Sequence, residues 1–322
     1  MPATNRTSLH PFIKLLLAIS PAAPETITDY EPLRRRNAVA DFLAGLLVAK
    51  AGPVRARRRF TIPVADGSID LLVYWPFTNG PHPVHVFFHG GGWILGSIDS
   101  VWIERLAQVR CIEADCVVVS VNYRKAPEHK FPIPLDDCYA ALCWVRGHAQ
   151  ELGVNLERLT VGGQSAGGNL AAALCIKVRD EGGPAIAGQL LEVPAVDLTM
   201  SSRSCVDNGT GFGLTAKDMA RMRECYLRSS DDITHPYASP LHAADLSNLP
   251  PAFVMSSEFD PLHDDGPAYV KRLREAGVKA EFYFGHGHVH GSPAITRVLK
   301  SAREWQQALL DVLKRVNRTG AM

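Results

Sequence analysis

From Phe60 onward the chain alternates short apolar runs with longer stretches whose apolar residues recur three and four positions apart. The runs at 59–65, 69–75, 84–88, 116–121, 159–162, 189–193, 252–256 and 281–284 predict buried strands, the first two joined across Asp66-Gly67. Between them, 100–114, 135–149, 169–180 and 264–276 predict helices, the last stopped by Gly277. A C-terminal helix carries Ile295, Val298, Leu299, Ala302, Trp305, Leu309, Val312 and Leu313 on one face. Alternation of this kind predicts an α/β fold with a mainly parallel central sheet and helices on both faces. Function in such sheets gathers on loops at the carboxyl ends of the strands.

Two segments break the rhythm. Residues 1–52 hold no strand: a short helix over 12–19 precedes one capped by Thr28 or Asp29, with Val39, Phe42, Leu43, Leu46 and Leu47 at helical spacing. Residues 197–230 insert a loop and a helix over 214–227 between two strands, where they can lie over the same sheet edge. The expected organisation is an N-terminal helical cap segment, 1–52, and one α/β domain, 53–322, with a cap insertion at about 197–230.

Charge narrows the partners. Lys and Arg number 34 against 33 Asp and Glu, so no long-range field is available for nucleic acid or an anionic membrane surface. A small neutral substrate suits that balance. The basic run Arg55, Arg57, Arg58, Arg59 leads straight into a strand and reads as a solvated edge. Seven cysteines without paired spacing imply reduced thiols and a cytoplasmic location, and no Cys-x-x-Cys is present for zinc. Lys14 interrupts the apolar stretch at 12–19, which reads as an amphipathic helix rather than a signal peptide. No run approaches the roughly 18 to 20 apolar residues of a bilayer span, so membrane insertion is not expected. An exposed edge strand at 281–284 could pair two copies into a homodimer.

The chemistry gathers at strand ends. Between the strand at 159–162 and the following helix stands Gly163-Gln164-Ser165-Ala166-Gly167-Gly168. A serine at so sharp a turn takes a strained backbone with positive φ, tolerated only if the residues two before and two after lack bulk, as Gly163 and Gly167 do. The turn lifts the hydroxyl beside a helix N-terminus, where negative charge is favoured. After another strand comes His89-Gly90-Gly91-Gly92-Trp93, whose glycines let backbone N–H groups approach an oxyanion. Gly91, Gly92 and Ala166 are the expected donors. Such a serine needs a base and a carboxylate, in the chain order Ser, Asp, His. Asp260 and His290 each follow a predicted strand, with Glu258 a competitor for the acid. Asp264 and Asp265 read as helix cap and first-turn acids. The alternation His286, His288, His290 invites a metal reading, but Gly285, Gly287 and Gly291 suggest a loop, and no neighbouring carboxylate or cysteine cluster completes a site.

Together these residues resemble the hormone-sensitive lipase-like esterases. The resemblance runs from about Val84 to Ser292. It includes His89-Gly90-Gly91-Gly92-Trp93 with Gly96-Ser97, Tyr123-Arg124-Lys125-Ala126-Pro127-Glu128-His129, the turn at Ser165, Ser239-Pro240-Leu241, Leu249-Pro250-Pro251-Ala252, Asp260-Pro261-Leu262-His263-Asp264-Asp265-Gly266 and His290-Gly291. It implies an α/β-hydrolase fold with a helical cap and hydrolysis of short- to medium-chain esters without a cofactor. It also implies a triad of Ser165, His290 and Asp260, the last matching the family acid by its place in the motif. Non-catalytic binding relatives of this fold lack the histidine, which is present here. Two positions depart from the family pattern: Gln164 replaces an aspartate or threonine, and Ser292 a phenylalanine whose loss is expected to enlarge or wet the pocket.

Overall fold

Eight apolar runs assemble into one sheet in the computed structural model, which describes residues 8–19, 30–320 and 322. The strands are β1 Ala56–Val64, β2 Gly67–Trp75, β3 His82–Phe88, β4 Val117–Asn122, β5 Val154–Gln164, β6 Gly188–Glu192, β7 Ala252–Phe259 and β8 Ala280–Val289. Their spatial order is β1-β2-β4-β3-β5-β6-β7-β8. Pairing is antiparallel for β1 with β2 and β2 with β4, and parallel for the rest, so β3 to β8 all end on one edge. The helices are α1 Pro11–Ile19, α2 Tyr30–Gly45, α3 Val101–Glu113, α4 Ile133–Gly147, α5 Ala149–Leu152, α6 Ala166–Glu181, α7 Arg203–Asp207, α8 Ala216–Tyr226, α9 Asp265–Glu275 and α10 Lys300–Thr319.

The uninterrupted apolar strands are explained by burial on both faces. Successive side chains of a strand point to opposite faces. On β3, Val84, Val86 and Phe88 join a core with Leu142 of α4, Leu170 and Leu174 of α6 and Leu273 of α9. Phe87 points the other way, among Ile103 and Ala107 of α3 and Trp305, Leu309 and Leu313 of α10. Arg57, Arg58 and Arg59 line the exposed edge strand β1, where Arg57 pairs with Glu104 and Arg59 with Asp70 and Asp99.

Three local expectations need correction. α10 begins at Lys300, so Ile295 and Val298 lie in the turn before it, and Val298 is exposed. Strand β8 continues through the glycine-histidine run to Val289, with a register shift against β7. Gly285 is not a loop signal: a Cβ there would press on the Trp305 ring, while Gly287 takes φ +70 at the irregularity. On α2, Val39, Phe42 and Leu43 stay more than half exposed. That helix is held instead by Arg34, which donates to the carbonyls of Ile94 and Ala126 and pairs with Glu128. The expected caps Thr28 and Asp29 lie outside the described residues.

Residues 197–230 carry α7 and α8 between β6 and β7. Thr215 caps α8, its hydroxyl accepting from Asp218 N at 3.0 Å. Met222 of α8 sits against Gly92. α1 approaches from beside it, packing Ile13 in a cluster with Phe259 and Val289, the residues immediately before Asp260 and His290.

Candidate active site

Because six parallel neighbours end together, the segments that follow β3, β5, β7 and β8 meet at one edge. Ser165 occupies the turn between β5 and α6 with φ 55 and ψ −117. Close approach explains the flanking glycines: a Cβ on Gly163 would overlap the Gly167 carbonyl, and one on Gly167 would overlap the Phe88 carbonyl. Ser165 N donates to the Glu192 carbonyl at 2.9 Å, tying the turn to β6.

His290 lies between the serine and an acid. Its Nε2 is 3.0 Å from Ser165 Oγ and its Nδ1 is 2.7 Å from Asp260 Oδ2. An ionised carboxylate only accepts, so the proton sits on Nδ1, and Nε2 faces the serine with its lone pair. Asp260 is fully buried, and its other oxygen accepts from Leu262 N at 2.9 Å. Glu258 is used elsewhere: it accepts from Gly287 N at 2.8 Å and faces His286 at 3.8 Å. The three alternating histidines therefore have three different surroundings. His286 is exposed; His288 is buried, bonded through Nδ1 to Ser292 Oγ at 2.8 Å and lowered by that burial to about 4.

Among the described residues, the N–H groups of Gly91, Gly92 and Ala166 have no acceptor. His89 braces the glycine loop from below. Its Nδ1–H donates to the Gly90 carbonyl at 2.8 Å, its ring stacks on Tyr123, and burial lowers it to about 3, so it stays neutral. Gly90 packs against Gln164 and Ser165.

Ser165 and His290 border a cavity of about 230 Å³ with largely apolar walls. The insertion contributes Leu198, Met200, Leu214, Met219, Met222 and Arg223, and the opposite side includes Trp102 and Trp305. Gln164 also faces it, and among the described residues its Oε1 finds no donor. Ser292, expected to enlarge or wet the pocket, is not one of the residues that line it. It is buried, donates to the Val289 carbonyl at 3.0 Å, accepts from Val289 N at 3.0 Å and meets His288, so its hydroxyl ties down the turn around His290.

Sequence reasoning missed three supports. Arg110 of α3 and Glu192 of β6 form a fully buried ion pair directly behind the serine turn, where Glu192 also accepts from Trp305 Nε1 at 2.9 Å. Their signal was a charge inside an apolar run, Arg110 beside Cys111 and Glu192 after Leu190-Leu191. Removing one partner of a buried pair strands the other, so Glu192→Ala is expected to cost about 3 to 5 kcal/mol of stability, read as a lowered midpoint in denaturant. Asn208 was also overlooked: it donates to the carbonyls of Glu258 at 3.2 Å and Asp260 at 3.0 Å. Asp264 and Asp265 do more than begin a helix. Asp264 accepts from Ser204 N, and the buried Asp265 accepts from Val196 N and Asp197 N, fastening the insertion to the Asp260 loop. Desolvation holds the Asp265 carboxyl well above the usual carboxylate range.

The fold and the chemistry on its carboxyl edge define the class, an α/β hydrolase. The sequence profile of the family described as alpha/beta hydrolase fold matches residues 85–294, and the chain belongs to that family. Among curated relatives, the carboxylic ester hydrolase LipN of Mycobacterium tuberculosis is 43% identical over 237 residues, covering 72% of this chain and 62% of that protein. The carboxylesterase NlhH of the same species is 35% identical over 318 residues, 98% of each chain. The solved structure of the Pyrobaculum calidifontis esterase superposes with a TM-score of 0.90 at 35% identity, covering 96% of this chain and 99% of that one.

Proposed function

We propose that this protein hydrolyses carboxylic esters of short to medium acyl length through an acyl-enzyme on Ser165. One observation carries the reading: an unbroken hydrogen-bonded line from Ser165 through His290 to the buried Asp260, opening onto an apolar cavity. The relatives named as ester hydrolases support it.

In this reading Ser165 Oγ attacks the ester carbonyl carbon while its proton passes to His290 Nε2. Asp260 holds the Nδ1–H and stabilises the imidazolium that forms. The oxyanion settles among the N–H groups of Gly91, Gly92 and Ala166, each such donor being worth roughly 10²- to 10³-fold in rate. His290 then protonates the departing alcohol. Water, deprotonated by His290, attacks the acyl-serine; collapse of that second tetrahedral intermediate returns the proton to Ser165 and releases the carboxylic acid. The chain's own groups handle every proton, so the cycle calls for no cofactor.

The cap in this proposal is the 197–230 insertion, which supplies one wall of the cavity. Of the described residues before β1, Tyr30 reaches it at Cys225, while α1 packs beside it on Phe259 and Val289. A cavity of this size predicts that esters with acyl chains of roughly two to eight carbons turn over best. A panel of p-nitrophenyl esters of rising chain length tests this. Faster hydrolysis of emulsified long-chain triglyceride than of butyrate esters would contradict it.

A further inference from the structure

We propose that the ester this pocket is built for carries a free carboxylate, held by Arg223; the inference rests on the hydrolase reading above. Arg223 lies on α8 and lines the cavity that Ser165 and His290 border. The insertion's other contributions to that wall, Leu198, Met200, Leu214, Met219 and Met222, are apolar. A guanidinium offers five N–H donors in a planar fork. Among the described residues, only one bond from Arg223 is formed, to the Leu198 carbonyl at 3.2 Å.

The nearby acids are already committed. Glu192, the carboxylate of the cavity lining, is taken by Arg110 and Trp305. Asp197, at the base of the insertion, accepts from Thr199, Ser201 and His242. On α8 itself, Arg221 is paired with Asp218. Arg223 thus stands in a largely apolar wall as a cation with no carboxylate of the protein's own. Arg223 is half-buried at the cavity wall, and a carboxylate accepts bidentately from such a fork. With Ser165 addressing the ester and Arg223 on the cap side, the substrate class is a half-ester of a dicarboxylic acid, with an aliphatic spacer along the methionine and leucine wall.

Hydrolysis of monoethyl and diethyl adipate, measured as ethanol release, tests the proposal. The wild type is expected to favour the monoester in kcat/KM. Arg223→Ala should lower the monoester-to-diester ratio by about tenfold to a hundredfold, the range of a charge-assisted hydrogen bond, and Arg223→Lys should restore part of it. Titration calorimetry with monoethyl adipate on a Ser165→Ala background should show a loss of affinity of the same order when Arg223 is also replaced. A wild type that favours the diester, or an Arg223→Ala that lowers both esters alike, overturns the inference while leaving the hydrolase reading standing. A wild type inert toward every ester in the panel overturns both.

Discussion

Ser165→Ala is expected to leave a folded protein whose ester hydrolysis falls about a millionfold or to background. The fold should survive because the turn's own bonds are backbone bonds, Ser165 N to the Glu192 carbonyl and Asn169 N to the Ser165 carbonyl, and neither uses Oγ. Alanine accepts the same φ of 55 at a strain similar to that of serine. Loss of the hydroxyl removes the only atom of the protein that bonds to the acyl group in this mechanism, so His290 has no serine nucleophile to activate. Circular dichroism should match the wild type while turnover disappears. An organophosphate should label the wild type at Ser165 and leave the variant unmodified, as read by intact mass and peptide mapping. Most of the activity surviving in the variant would sink the serine mechanism.

His290→Ala should cost several orders of magnitude in kcat, nearly as much as losing the serine, because these two residues act as a unit. The neighbouring histidines separate this reading from a metal site. His286 is exposed and faces Glu258, which lies outside the line, so His286→Ala should change the rate by a small factor. His288→Ala should act on stability instead, by about 1 to 3 kcal/mol, because it empties a buried ring site and removes its bond to the Ser292 hydroxyl. Assayed well below its melting temperature, that variant should retain most of its kcat. Chelators should leave the wild type active. Comparable losses at all three positions, with chelator inactivation reversed by zinc, would overturn the assignment of His290.

The eight strands and the turn at Ser165 were legible because each is encoded locally. Strands buried on both faces must be apolar throughout, and a strand-to-helix turn this tight admits only glycine two residues either side of the serine. The line from Ser165 to His290 and Asp260 could be anticipated from chain order and strand ends, since parallel strands bring their carboxyl ends to one edge whatever lies between them. The sequence by itself therefore determined the architecture, the edge on which the chemistry sits and the residues that meet there. Tertiary structure alone decided which charge meets which. Arg110 finds Glu192 across 82 residues, Asn208 finds the Asp260 carbonyl across 52, and Asp265 reaches back to Val196 across 69. It also decided that Val39, Phe42 and Leu43 of α2 stay exposed, that β8 runs on through its glycines, and that Arg223 stands on the cavity wall without a protein carboxylate. Periodicity reports which face of an element is apolar. Which neighbour covers that face, and which donor meets a buried charge, depends on contacts between segments far apart in the chain, and no local pattern records them.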